Sequence, residues 1–316
     1  MIHEFAVEPA CLDNWQTFRY LIEQFGVSRG RLISRFPKEW IKKVKGHCSC
    51  GAFTFVQKQQ LEIELKRIMN HALIRSGRDY ENSISWAENA VKQHINSKPF
   101  HAIIVKQIAH PEKYLLEAGD ISHNTPLWAI PRERKILRSV DALSDAIVPL
   151  LRISKRILFV DKMFRTNSSA DRWKTTLESF IQRAVMEREN IPSFEYHFEF
   201  PSSDFGVAEA SRREEFQREA DQYLQDILLQ DILPQGVSLK LCRWTRWHDQ
   251  SDFFHARYVL TERGGIRIDW GLDQGKPGET THISLMDEGI WQECWESFQD
   301  GAKVFQLIDS VIVEGK

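Results

Sequence analysis

The sequence predicts an α/β protein: a mixed sheet flanked by helices over residues 140–316, preceded by a mostly helical domain over 1–135. Three observations predict it. Short apolar or aromatic runs at 156–160, 194–200 and 237–244 alternate with amphipathic stretches of helical spacing. A hairpin signal follows at 253–268, where a β-branched and aromatic run meets Glu262-Arg263-Gly264-Gly265 and returns from Ile266. The first half carries mainly 3.6-residue periodicity.

Composition narrows the class. With 42% hydrophobic residues and ten Trp among 316 positions, the chain can bury a substantial core, which excludes a disordered protein. No run approaches the roughly 18 apolar residues of a membrane span, and Met-Ile-His-Glu-Phe does not begin a signal peptide. A cytoplasmic protein is expected. Five cysteines are too few and too scattered for a disulfide framework. His47-Cys48-Ser49-Cys50 lacks the four-ligand pattern of structural zinc, so ordinary buried thiols, no metal and no cofactor are expected. Residues 1–150 hold 21 Lys and Arg against 16 Asp and Glu, and the remainder 21 against 28. That split of +5 and −7 points the first half towards an anionic partner.

Taken in order, 12–25 reads as a helix through Trp15, Phe18, Leu21 and Ile22, with Asp13 or Asn14 at its start and Gly26 at its end. The segment 28–45 is the densest basic stretch. Arg29, Arg31, Arg35, Lys38, Lys42 and Lys43 form a candidate nucleic-acid contact surface, with Phe36 and Trp40 interleaved for base stacking. The alternative is a solvated charged face over inward-packed Ile33, Phe36, Trp40 and Ile41. Helices follow at 58–76 and 80–96, the second capped by Asp79, then a strand at 99–105. The stretch 110–139 reads as irregular, with the domain boundary around Pro131 to Ser139.

In the second half, Asp141 caps a helix to about residue 151, and the strand 156–160 ends at Asp161, a common site position on an α/β sheet. A helix opens at Ser169 or Asp171 and carries Trp173, Leu177, Phe180 and Ile181 on one face. A strand at 194–200, an acid-rich helix at 211–229, a strand from Val237 to Trp244, the hairpin and a last helix around Ile290–Phe298 complete the pattern.

The hairpin carries the chemistry. Alternation along a strand puts Phe254, Ala256, Tyr258 and Leu260 on one face and His255, Arg257, Val259 and Thr261 on the other. An imidazole and a guanidinium about 7 Å apart suit a phosphate. A neutral imidazole can attack phosphorus while the cation steadies the phosphoryl oxygens, and Glu262 or Asp252 can orient the imidazole. The preceding loop, with Arg243, Trp244, Arg246, Trp247 and His248, reads as a pocket mouth, unless Trp244 and Trp247 lie beneath the sheet. No Walker A, Gly-x-Ser-x-Gly, His-Glu-x-x-His or Gly-x-Gly-x-x-Gly pattern occurs.

His255-x-Arg257-x4-Glu262 with Gly264-Gly265 resembles the His-x-Lys-x4-Asp motif of the phospholipase D superfamily. It is closer to the phospholipase-D-like domain at the C-terminus of microtubule-interacting-and-trafficking proteins and their bacterial relatives. Those share the His-x-Arg strand, a glycine turn, a segment like Gly271-Leu272-Asp273, and an upstream apolar strand ending in Asp, here Asp161. The likeness covers roughly 140–312. It implies a phospholipase-D-like fold and a phosphate pocket built from Asp161, Thr261, Gly264, Gly265 and the loop residues, with His255, Arg257 and Glu262 as the catalytic set.

Arg grips phosphate in a planar fork but donates no proton, so the Arg257 departure favours binding over turnover. The expected function is therefore phosphate recognition on nucleic acid, and the pairing with an unfamiliar first domain looks similar to bacterial anti-phage defence components. The alternatives are a metal-independent phosphodiesterase (a nuclease) and a non-catalytic subunit docking protein partners in a larger assembly. An active site of this family uses two motifs and this chain has one, so turnover implies a homodimer joining two His255 imidazoles.

Overall fold

The computed structural model describes residues 1–50, 53–161, 170–199, 232–246, 257–299, 301–302 and 304–315. It is an α/β protein of two compact units, Met1–Arg132 and Glu133–Lys316, each built on its own sheet. Among the described residues, no helix is long and apolar enough to cross a membrane.

The first unit runs β1 (His3–Val7), α1 (Trp15–Ile22), β2 (Arg31–Arg35), α2 (Trp40–Cys50), α3 (Phe55–His71), β3 (Leu73–Arg75), α4 (Trp86–Asn96), β4 (Ala102–Val105) and β5 (Leu115–Glu117). Helix outweighs strand, as the periodicity indicates, but the organising element is a parallel sheet in the order β3-β2-β1-β4-β5. Of these strands only β4 stands out in the sequence. The others are only three to five residues long, too short to show clear period-2 alternation or a long apolar run.

Alternation along β1 divides the core. Phe5 and Val7 join Phe18, Trp40 and Leu65 of α1, α2 and α3, whereas Ala6 joins Phe36, Trp86 and Ala90 on the α4 side. Two buried indoles are satisfied, Trp40 donating to the Val7 carbonyl at 2.7 Å and Trp86 to that of Phe36 at 3.0 Å. Asn14, Thr54 and Ser85 cap α1, α3 and α4. The start of α4 is therefore Ser85, with its capping box to Glu88, rather than Asp79.

The second unit runs β6 (Glu133–Leu137), α5 (Val140–Leu151), β7 (Arg156–Val160), α6 (Ala170–Val185), β8 (Ser193–Glu199), β9 (Ser238–Arg246), β10 (Arg257–Thr261), β11 (Gly264–Ile268), β12 (Thr280–Leu285), α7 (Glu288–Ser297) and β13 (Phe305–Glu314). The helix expected at 211–229 lies outside the described residues. The sheet order is β13-β9-β8-β7-β10-β11-β12-β6, with β7, β8 and β9 parallel and the rest antiparallel. The two units divide at 132/133, so β6 belongs to the second; its Glu-Arg-Lys-Ile-Leu has no apolar run to announce a strand.

Helices cover both faces of this sheet. Phe180 of α6 stacks on Phe159, which stacks on Phe194, and Trp173 donates to the Tyr196 hydroxyl at 2.6 Å. On the opposite face Leu158, Val160, Trp244 and Leu260 pack with Trp291 of α7 and with Phe298.

Candidate functional site

The carboxyl ends of parallel strands gather loops without blocking them, and ligands collect there in open α/β sheets. In the second unit β7, β8 and β9 end at one edge with Asp161, Glu199 and Arg246. β10 runs the opposite way, Tyr258 against Val160, so its first residue, Arg257, faces Asp161. The Arg257 Nε lies 3.6 Å from Asp161 Oδ1. That is too long for a hydrogen bond, so Asp161 orients the guanidinium by charge. Asp161 is only 3% exposed, and its Oδ2 accepts from the Leu272 backbone N–H at 2.9 Å.

The loop after β11 completes the arrangement. Gly271 sits at φ +130°, and a Cβ there would lie 2.6 Å from Asp273 Oδ1 and 3.5 Å from Asp161 Oδ2, so only glycine brings Leu272 onto Asp161. Asp273 is held by Arg138, whose Nη2 donates to its Oδ1 at 2.7 Å and whose Nη1 lies 3.4 Å from Glu279 Oε2. Four chain segments thus converge: the ends of β6, β7 and β11 and the start of β10. Arg257 reaches solvent, its side chain 22% exposed, as does Asp273 at 37%, whereas Asp161 is 5% and Arg138 10% exposed.

Other expected site residues fall elsewhere. His255, Asp252, Trp247 and His248 lie outside the described residues. Arg246 ends β9 at the Asp161 edge. Glu262 lies at the opposite edge, about 17 Å along the strand from Arg257. Its carboxylate accepts from the backbone N–H groups of Lys155 (2.9 Å) and Arg156 (3.1 Å), tying down the start of β7. Thr261, Gly264 and Gly265 share that edge. Thr261 Oγ1 closes the turn onto the Gly264 carbonyl, and a Cβ at Gly265 would meet Met286 Sδ at 2.6 Å. Arg243 is buried against its cross-strand neighbour Asp309 (Nε–Oδ1 2.5 Å), and Trp244 is buried beneath the sheet.

In the first unit the six basic residues divide between the two ends of β2. Arg29 and Arg31 lie at the start of β2, whereas Arg35 ends it and Lys38, Lys42 and Lys43 follow. Phe36 and Trp40 are buried, so neither indole nor phenyl is available to stack on a base. Cys48 is buried with its thiol donating to the Leu12 carbonyl at 3.0 Å.

Sequence reasoning missed Arg138, which lay in a stretch read as irregular, and a second polar group inside the sheet. Glu195, His197 and Cys242 place ligand-capable atoms within 4.8 Å of one another, the one such group among the described residues. Its signal was Glu-x-His on a strand. The indole of Trp244 donates to His197 Nδ1 at 2.9 Å, so His197 is the Nε2–H tautomer and donates to Glu195 at 3.2 Å. Arg156 donates to the other Glu195 oxygen at 2.5 Å. Burial pushes the His197 pKa down, against the pull of Glu195. Burial would raise Glu195, but the hydrogen bonds from His197 and Arg156 outweigh it and hold the carboxyl at about 2. Both imidazole nitrogens are occupied and a guanidinium already neutralises the acid, so this is a satisfied structural network.

No protein-family model matches the chain, and no curated protein matches it. Among solved structures, TrmBL2, an archaeal chromatin protein described as showing a novel mode of DNA binding, aligns at 9% identity with a TM-score of 0.23. The alignment covers 54% of this chain and 51% of that one, and a superposition so loose carries no argument.

Proposed function

We propose that the second unit recognises the phosphates of nucleic acid at the carboxyl edge of its sheet, with Arg257 as the gripping cation and His255 beside it in sequence. The observation that supports this reading is the Arg257–Asp161 pair. A solvent-accessible guanidinium is oriented by a buried carboxylate that a backbone N–H fixes in turn. Asp161 faces Arg257, while Asp273 and Glu279 hold Arg138 beside them, so the edge gathers two planar guanidinium groups of the kind that match phosphate. The likeness of His255-x-Arg257 and Gly271-Leu272-Asp273 to phospholipase-D-like proteins supports the same assignment.

The test is fluorescence anisotropy with a labelled single-stranded oligonucleotide, repeated at rising salt and with excess chelator. Arg257→Ala should weaken binding about ten- to hundredfold, because a charge-assisted contact is lost. His255→Ala should weaken it comparably if the site only binds. Affinity should fall steeply with salt. Wild-type affinity in both variants would overturn the proposal. Cleavage of the oligonucleotide that survives chelation and disappears in His255→Ala would make the same site a phosphodiesterase.

A further inference from the structure

The first unit contains an open cavity of about 760 Å³ within itself, lined among others by Tyr20, Gln24, Arg31, Ser122, His123 and Trp128. Small-molecule sites span about 300–1,000 Å³. It lies at the amino edge of the parallel sheet, because Arg31 is the first residue of β2. A ligand there would be far from the carboxyl-edge crevice where nucleotides sit in most open α/β sheets.

What marks the cavity is an uncompensated cation in its wall. Arg31 Nη2 donates to the Trp128 carbonyl at 2.5 Å, and Nη1 reaches the Arg29 carbonyl at 3.3 Å. Its Nε is buried without a hydrogen-bond partner. Trp128 supports the guanidinium from beneath, with Cζ 4.2 Å from the ring centroid. Among the described residues neither Arg31 nor its neighbours Arg29 and Arg132 has a carboxylate partner. Burial, and then the like charge of Arg29 and of Arg132, pushes the Arg31 pKa down to about 10. The group stays charged at neutral pH, and three cations without an acid favour an anion among them.

The rest of the lining selects the anion's body. Tyr20 is 42% exposed, a flat ring open to the cavity, and Ala129, Ile130 and Pro131 supply an apolar wall. Ser122 and His123 offer polar groups at hydroxyl-binding scale.

We propose that this cavity binds an organic phosphate carrying a planar ring, the phosphate against Arg31 and the ring beside Tyr20. A free mononucleotide and the phosphorylated end of a nucleic-acid strand share that chemistry.

Isothermal titration of the full chain with AMP, adenosine, and a trinucleotide with and without a 5′-phosphate separates the sources. AMP should bind saturably and at least about tenfold tighter than adenosine, the effect of one charge-assisted phosphate contact. Arg31→Gln should remove that preference. If Arg31→Gln lowers the thermal midpoint, the double variant Arg29→Gln/Arg132→Gln, at exposed positions, should weaken AMP several-fold with the midpoint unchanged. Tighter binding of the 5′-phosphorylated trinucleotide than of AMP assigns the site to strand ends, and the reverse assigns it to free nucleotide. Equal binding of AMP and adenosine, or AMP binding untouched in all these variants, overturns the proposal. In the Arg257→Ala background, the part of AMP binding that Arg31→Gln removes should persist, which separates this cavity from the site proposed in the second unit.

Discussion

His197 is 1% exposed, sits between an indole and a carboxylate, and is neutral in the fold. Its folded pKa lies below 6.5, so the unfolded chain takes up a proton first as pH falls, and stability is lost below about 6.5. Glu195 acts in the same direction at lower pH. Its folded value of about 2 lies under the ordinary 4.5, so the stability it contributes is present above 4.5 and drains away as pH falls towards 2. Thermal denaturation followed between pH 8 and pH 3 should show the second unit's transition declining from about pH 6.5, and again below about 4.5. His197→Gln should be less stable at pH 7 but lose the first decline. A wild-type midpoint that is flat from pH 7 to 5 would show that His197 is not buried neutral.

At the level of elements, short local signals hold up the first unit's helices. Thr54 accepts from the Gln57 N–H at 3.3 Å while Gln57 returns the bond to the Thr54 N–H, and Ser85 and Glu88 do the same for α4. Thr54→Ala and Ser85→Ala should each cost about 1 kcal/mol in denaturant unfolding, with additive losses because the caps lie on different helices. If neither shifts the midpoint, the boxes contribute nothing beyond what water supplies.

The same elements show what could be read from sequence. The β10–β11 hairpin and β7 were legible because apolar runs and a Gly-Gly turn mark them locally, and with them Asp161 and Arg257 at their ends. β12 alternates Thr, His and Ser with buried Thr281, Ile283 and Leu285, a weak pattern that only its partners β6 and β11 make into a strand. Arg138 was invisible for a related reason. Its role depends on Asp273, 135 residues away, and no local pattern encodes that contact. Glu262 was misleading, since its spacing from Arg257 fits a motif while its carboxylate serves the backbone at the far end of the strand.

At the scale of the molecule, every sheet hydrogen bond among the described residues closes within Met1–Arg132 or within Glu133–Lys316, and each unit has its own buried clusters. Charge divides at the same place. Residues 1–132 hold 18 Lys and Arg against 13 Asp and Glu, and the rest 24 against 31, so the excess of +5 belongs to the first unit and −7 to the second. Two units of 132 and 184 residues are each large enough to bury a self-sufficient core. Expressed separately, 1–132 and 133–316 should each give a single cooperative thermal transition. The first fragment should keep the affinity of the full chain for AMP, since Arg29, Arg31, Tyr20 and Trp128 all lie in it. The second should keep whatever oligonucleotide affinity depends on Arg257, at the cost of starting from a negative field that repels a polyanion at long range. Its binding should therefore gain less from low salt than that of the intact protein, where the positive unit offsets the repulsion. A first fragment that folds yet fails to bind AMP would place the cavity's ligand contacts beyond residue 132; one that does not fold would show that the sheet β3-β2-β1-β4-β5 needs the second unit to form.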